Sequence, residues 1–187
     1  MPSLDTFLER PDIARIARRI SERSPRAVQA TGNERYAAIA LTLRPSAEGE
    51  PELLMIRRAE VERDPWSGHI ACPGGRMDPD DIDLARDGRI LGALDDVAPR
   101  TPALPPLVIR PFVAVVVREA VTTPSDEVAE AFWVPLSAFL HPPSWGRAAV
   151  PIRGVGSREV EVFRYGQFVV WGLTHRALAQ FLDLVRD

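Results

Sequence analysis

The chain has 187 residues, 45% hydrophobic and 26% charged, and its 26 acids outnumber its 23 basic residues for a formal charge of −3. That length suits one globular domain, and the composition excludes a disordered chain and, with no apolar run near the roughly 20 residues a bilayer requires, a membrane-spanning helix. Every basic residue is arginine and Cys72 is the only cysteine, which excludes lysine Schiff-base chemistry, a Walker-type phosphate loop, an internal disulfide and a Cys-x-x-Cys zinc site.

The acidic balance argues against nucleic acid as a partner. The N-terminus lacks a basic patch followed by an apolar core, so neither a signal peptide nor a membrane partner is expected, and the expected compartment is cytoplasmic. Pro11 to Arg23 reads as the first helix: Ile13, Ile16 and Ile20 share one face, and Arg15, Arg18, Arg19 and Arg23 make a solvated basic face opposite. Strands follow at 36–43 and 53–58, and the turn-forming stretch 44–51 between them predicts an antiparallel pair. Trp66 to Gly75 reads as a short strand running into a Pro-Gly-Gly turn.

Further strands are expected at 89–94, 110–117, 131–134, 158–163 and 167–171, with a short helix over 135–140. Thr174 is placed to cap a last helix carrying Leu178, Phe181, Leu182 and Val185 at helical spacing. Trp133 and Trp171 suit sheet packing. The expected organisation is a single domain over residues 1–187, with residues 1–30 as an N-terminal helical extension and a mixed sheet between helices.

Chemistry concentrates in Pro73-Gly-Gly-Arg-Met-Asp-Pro-Asp-Asp81. Paired glycines let the backbone turn sharply and approach a ligand closely. Asp78, Asp80, Asp81 and Asp83 crowd together without a basic partner, a pattern explained either by a cation such as Mg²⁺ or by a solvated turn.

Together with Leu53-Leu-Met-Ile-Arg-Arg58, the stretch Trp66 to Asp81 resembles the opening of the signature box of Nudix hydrolases, in particular their coenzyme A pyrophosphatase-like branch. The resemblance continues through Pro111-Phe-Val-Ala-Val115, Asp126 to Leu136 and Val170 to Arg176, and so spans most of the chain from about residue 36. It implies an α/β Nudix-type α/β/α sandwich with a mixed β-sheet. The implied activity is metal-dependent pyrophosphohydrolysis of a nucleoside-diphosphate-linked small molecule, coenzyme A or a derivative, with Mg²⁺ (or Mn²⁺) as cofactor. The resemblance also allows a homodimer.

The match to the box G-x5-E-x7-R-E-U-x-E-E-x-G-U, where U is apolar, is partial. Gly75 fits its first glycine, and Asp81 stands where its first glutamate belongs. The box carries 16 residues beyond that glutamate, whereas Ile82 alone separates Asp81 from Asp83 and a turn signal follows at Asp87-Gly88, a shortfall of 15 residues or about four helical turns. Sliding the register to use Asp95-Asp96 would run a helix through Gly88 and Gly92, each costing about 1 kcal/mol relative to alanine. Residues 89–94 are better read as a strand. Either the metal-binding helix exists in the molecule and is missing from the sequence as written, or it is lost and the chain is a non-catalytic binding module. Loss would uncover an apolar sheet face needing other cover.

The resemblance implies roles for the remaining candidates. Arg57, Arg58, Gly74, Gly75 and Arg76 would bind substrate, Asp78 and Asp81 would be the surviving metal ligands, and Glu127 and Glu130 would supply a catalytic acid or base. Arg57 and Arg58 read equally well as surface charge, and Glu127 and Glu130 as a solvated loop. His69 reads as packed or exposed, and Cys72 as a small apolar residue.

Overall fold

A computed structural model describes residues 2–29, 35–62, 66–75, 88–99, 106–117, 126–152 and 156–186. Two helices open the chain. Helix α1 (Leu4–Leu8) is capped by the Ser3 hydroxyl, which accepts from the Thr6 amide at 3.2 Å. Helix α2 (Pro11–Ser21) starts on proline, whose missing N–H would be unsatisfied there anyway. It buries Ile13, Ile16 and Ile20, as their spacing requires.

The central sheet is mixed. Strands β1 (Arg35–Pro45) and β2 (Pro51–Arg58) form the expected antiparallel pair, with Leu43 opposite Leu53. The stretch from Trp66 yields only two short strands, β3 (Ile70–Ala71) on β2 and β4 (Gly74–Gly75) on β1. Strand β5 (Gly88–Ala93) confirms that this stretch is extended, not helical. It pairs antiparallel with β6 (Leu107–Val116), which in turn runs parallel to β1. Strand β7 (Val128–Pro135) pairs antiparallel with β2 and runs into helix α3 (Leu136–Leu140).

A second, antiparallel sheet has the order β10-β9-β8, built from β8 (Trp145–Ile152), β9 (Gly156–Tyr165) and β10 (Phe168–Trp171). The sequence does not advertise β8, because Gly146 and Pro151 both weaken a strand pattern. At the edge of a sheet the proline sacrifices no ladder bond, and the strand forms.

Helix α4 (Gly172–Val185) closes the described chain, and it corrects the expected cap. Trp171 is still extended, the chain turns straight into the helix through Gly172 at φ +67°, and Thr174 lies inside the first turn. A left-handed backbone angle suits glycine, so the turn needs no hydroxyl.

One sheet face, carrying Leu41, Leu43, Leu53, Met55, Val113 and Val115, packs into a core with Phe7, the three α2 isoleucines and Leu178, Phe181 and Leu182 of α4. The other face carries Tyr36 opposite Val108 and Ile90 opposite Ala114. Tyr36 and Ile90 stay 52% and 51% exposed. On that face Arg44 lies 4.0 Å over the Trp133 ring while its Nε donates to Glu52 at 3.1 Å.

The basic face of α2 is only partly solvated. Arg15 donates to the Val185 carbonyl at 3.1 Å, and Arg19 donates to the carbonyls of Leu184, at 3.0 Å, and Arg186. The last carbonyls of a helix have no partner within it and carry partial negative charge, so arginines from a neighbouring helix satisfy them. Arg23 pairs with Asp95 at 2.6 Å. Asp96, its side chain 2% exposed, accepts twice from Arg110, at 2.8 and 3.0 Å, and from the Val28 amide at 3.1 Å. The Arg110 guanidinium therefore holds the Asp96 carboxyl below the usual carboxylate range against the opposing effect of burial. Both aspartates tie the segment after α2 to the sheet.

Candidate functional site

Strand alternation decides which side chains of β2 can meet a ligand. Leu53, Met55 and Arg57 share a face, and the β2–β7 register puts Glu130 directly opposite Arg57. Arg57 Nε donates to Glu130 Oε2 at 3.3 Å, with the two side chains 41% and 40% exposed. So exposed a pair contributes less than about 1 kcal/mol, and a ligand can displace it cheaply.

This pair stands in a cleft of about 1030 Å³ between the end of the central sheet and the second sheet. Ser67, Gly68 and His69 of the loop and Ile70 of β3 line one side, and Ala148 to Pro151, Phe168 and Trp171 line the other. The His69 ring meets Trp171 edge-on, with centroids 4.8 Å apart. Ser67 fixes the loop by accepting from the Val61 amide at 2.6 Å and lies 3.3 Å from a carboxylate oxygen of Glu60, which also lines the cleft.

The other expected site residues sit elsewhere. Arg58, one residue on, is half-buried and does not line the cleft; its amide donates to the His69 carbonyl at 3.0 Å, which anchors the loop. Glu127 is exposed outside the cleft lining, and its carbonyl accepts from the Ala59 amide at 2.9 Å. Gly74 and Gly75 pair with Ile39 and Ala38 of β1. A Cβ on Gly74 would collide with the Ala38 carbonyl oxygen and lie 2.7 Å from Ile39 Cα, whereas one on Gly75 would meet nothing within 4 Å. The close approach at Gly74 is thus to the protein's own backbone. Cys72 is buried, and burial pushes its thiol up to about 12. Arg76, Asp78 and Asp81, with Asp80 and Asp83, lie outside the described residues.

A divalent cation needs several hard oxygen ligands converging on one point. Among the described residues no three of His, Cys, Asp and Glu converge in that way. Glu60, Glu130 and His69 share the cleft without composing such a set, so the described side chains do not fit a Mg²⁺ or Mn²⁺ site.

No protein-family model matches the sequence, and no curated protein matches it. Solved structures do resemble the fold. A Nudix hydrolase from M. smegmatis, RenU, is 22% identical, with 58% of this chain and 78% of that one covered and a TM-score of 0.44. For an Ap4A hydrolase binary complex from C. elegans the identity is 15%, the coverage 55% and 80%, and the TM-score 0.42. The NUDIX domain of Shewanella oneidensis NrtR, complexed with ADP ribose, is 18% identical, covered at 66% and 85%, with a TM-score of 0.42. Likeness of this degree carries no argument about what the chain does. The architecture itself is α+β with a mixed sheet, as the sequence leads one to expect. Among the described residues no helix is long and apolar enough to cross a membrane.

Of the candidates the sequence offers, Arg57 and Glu130 line the cleft; Glu60, Ser67, Phe168 and Trp171 line it too and are not among them. The loop residues stand just before the glycine turn and could have been taken as one unit with it. Nothing local marks Phe168, because it reaches the cleft through the second sheet.

Proposed function

We propose that the chain binds the diphosphate of a nucleoside-diphosphate-linked small molecule in this cleft and serves pyrophosphate hydrolysis, with coenzyme A or a derivative as the candidate substrate. One observation carries the reading. Four separate blocks of the Nudix resemblance, those holding Arg57, Ser67 to Ile70, Glu130 and Trp171, come from distant parts of the chain and meet around one cavity. A cavity of this size exceeds what most small ligands fill, which suits a substrate with a nucleotide at one end.

Arg57 is the candidate anchor. Its guanidinium offers paired N–H donors that match phosphate oxygens, and Glu130 orients it until the ligand arrives. Glu130, released from that weak pair, is the candidate base; Glu127, in the turn before β7, lies outside the cleft lining. The glycine turn, Arg76, Asp78 and Asp81 follow directly on the loop. The described side chains support the binding step.

A second reading, a binding module that does not cleave, is favoured by the 15-residue shortfall in the box. One experiment separates the two. Coenzyme A and ADP-ribose are incubated with stoichiometric protein and Mg²⁺ or Mn²⁺, products are resolved by chromatography, and affinity is read by calorimetry. Release of a nucleoside monophosphate product, weakened at least tenfold in Arg57→Ala, supports the hydrolase. Binding without cleavage, equally sensitive to Arg57→Ala, supports the module. Absence of both rejects the cleft as a diphosphate site.

A further inference from the structure

The cleft lining sets one guanidinium, Arg57, against two carboxylates, Glu60 and Glu130. A diphosphate adds negative charge of its own, and Arg57 is already shared with Glu130 at 3.3 Å. Holding such an anion between these walls calls for a further positive group.

The second sheet supplies one by register. Residues directly opposite in an antiparallel pair share a face, and every second residue along a strand returns to it. Ala148 and Val150 of β8 and Val169 of β10 line the cleft. Arg158 of β9 stands opposite Val150, and Arg164 of β9 stands opposite Val169. Both arginines therefore belong to the cleft-facing side of the second sheet. The acids of β9, Glu159 and Glu161, occupy the alternate positions and belong to the other side. Charge is thus sorted across this strand, with only arginine on the side of the cleft.

The two arginines are not equivalent. Arg164 is engaged, donating to the Arg147 carbonyl at 3.2 Å. Arg158 is exposed and, among the described residues, makes no hydrogen bond or ion pair. It stands at the rim of the cleft, directly after Gly156 and Ser157, which line it. A guanidinium on a flexible stem can swing inward from that position without breaking any existing contact.

We infer that Arg158 is a second diphosphate-binding residue, pairing with the ligand from the second sheet while Arg57 holds it from the central sheet. Two guanidinia on opposite walls can each take one phosphate, so the pair selects a diphosphate over a monophosphate. The inference rests on the reading of the cleft as a diphosphate site.

The test titrates the full chain by calorimetry with α,β-methylene-ADP, whose bridging carbon prevents cleavage, and with AMP as the monophosphate control. The wild type is expected to prefer the diphosphate analogue, and Arg158→Ala to weaken binding of that analogue by about tenfold while affecting AMP less. Arg158→Glu should bind more weakly than Arg158→Ala, Arg158→Lys should recover part of the loss, and Arg164→Ala should stay within about twofold of the wild type. Arg57→Ala separates the two levels of the reading. If it weakens binding of the analogue and Arg158→Ala does not, the role of Arg158 is overturned and the cleft reading stands. If neither variant matters, or the analogue does not bind, both fall. Equal losses for AMP and the analogue, or an Arg158→Glu variant no weaker than Arg158→Ala, would also overturn the inference.

Discussion

Gly74→Ala separates a structural glycine from a ligand-binding one. The added Cβ would collide with the Ala38 carbonyl and crowd Ile39 Cα at 2.7 Å, both of them backbone atoms that cannot swing away. Strand β4 must therefore move off β1, breaking the pairing of Gly74 with Ile39 and straining the adjacent bond from the Ala40 amide to the Pro73 carbonyl, 2.8 Å long. Losing two backbone hydrogen bonds at about 1 kcal/mol each predicts about 2 kcal/mol of destabilisation. In a chain of this length that lowers Tm by about 4–8 °C. Gly75→Ala is the internal control, because its Cβ enters open space and should change stability by less than about 0.5 kcal/mol. Thermal melts followed by circular dichroism measure both. If Gly74→Ala melts with the wild type, or if both variants fall equally, the β1–β4 contact does not explain the glycine.

Three further outcomes are expected. His175 is held below its ordinary proton affinity by burial, so the unfolded chain takes up a proton first. Its contribution to stability is complete above about pH 6.5 and is lost as pH falls toward the depressed folded value. Urea unfolding at pH 7.5 and 5.5 should show a larger acid loss in the wild type than in His175→Gln; parallel losses refute this. Cys72 should stay unreactive to a thiol-specific disulfide reagent at pH 8 in the native protein and react fully in guanidinium, and rapid native labelling would contradict its burial. Replacing Arg15 and Arg19 together with alanine should cost about 1–2 kcal/mol and speed amide exchange in the last turn of α4, where their bonds end; unchanged exchange there refutes the capping role.

Local pattern determined what could be read in advance. The isoleucine spacing of α2 and the paired apolar runs of β1 and β2 each contain their own evidence, and both elements form where expected. Trp145–Ile152 carries a glycine and a proline and becomes a strand only because β9 lies beside it. The pairing of Arg57 with Glu130 depends on register between strands 73 positions apart, which no window of sequence contains. The contact from Arg15 to the end of α4 spans 170 positions, so a face that reads as merely basic is in part a set of helix caps. The glycine turn shows the opposite error: two adjacent glycines suggest one role, yet Gly74 is constrained by β1 and Gly75 is not.

The helices before β1 have a practical consequence. The recognisable part of the sequence starts at about residue 36, but Phe7, Ile13 and Ile16 are wholly enclosed among side chains of the sheet and α4. A gene trimmed to the part that looks familiar would encode a protein with a hole in its interior and bare carbonyls at the far end of the molecule. Such a product would be expected to aggregate, and its silence in an assay would say nothing about the cleft.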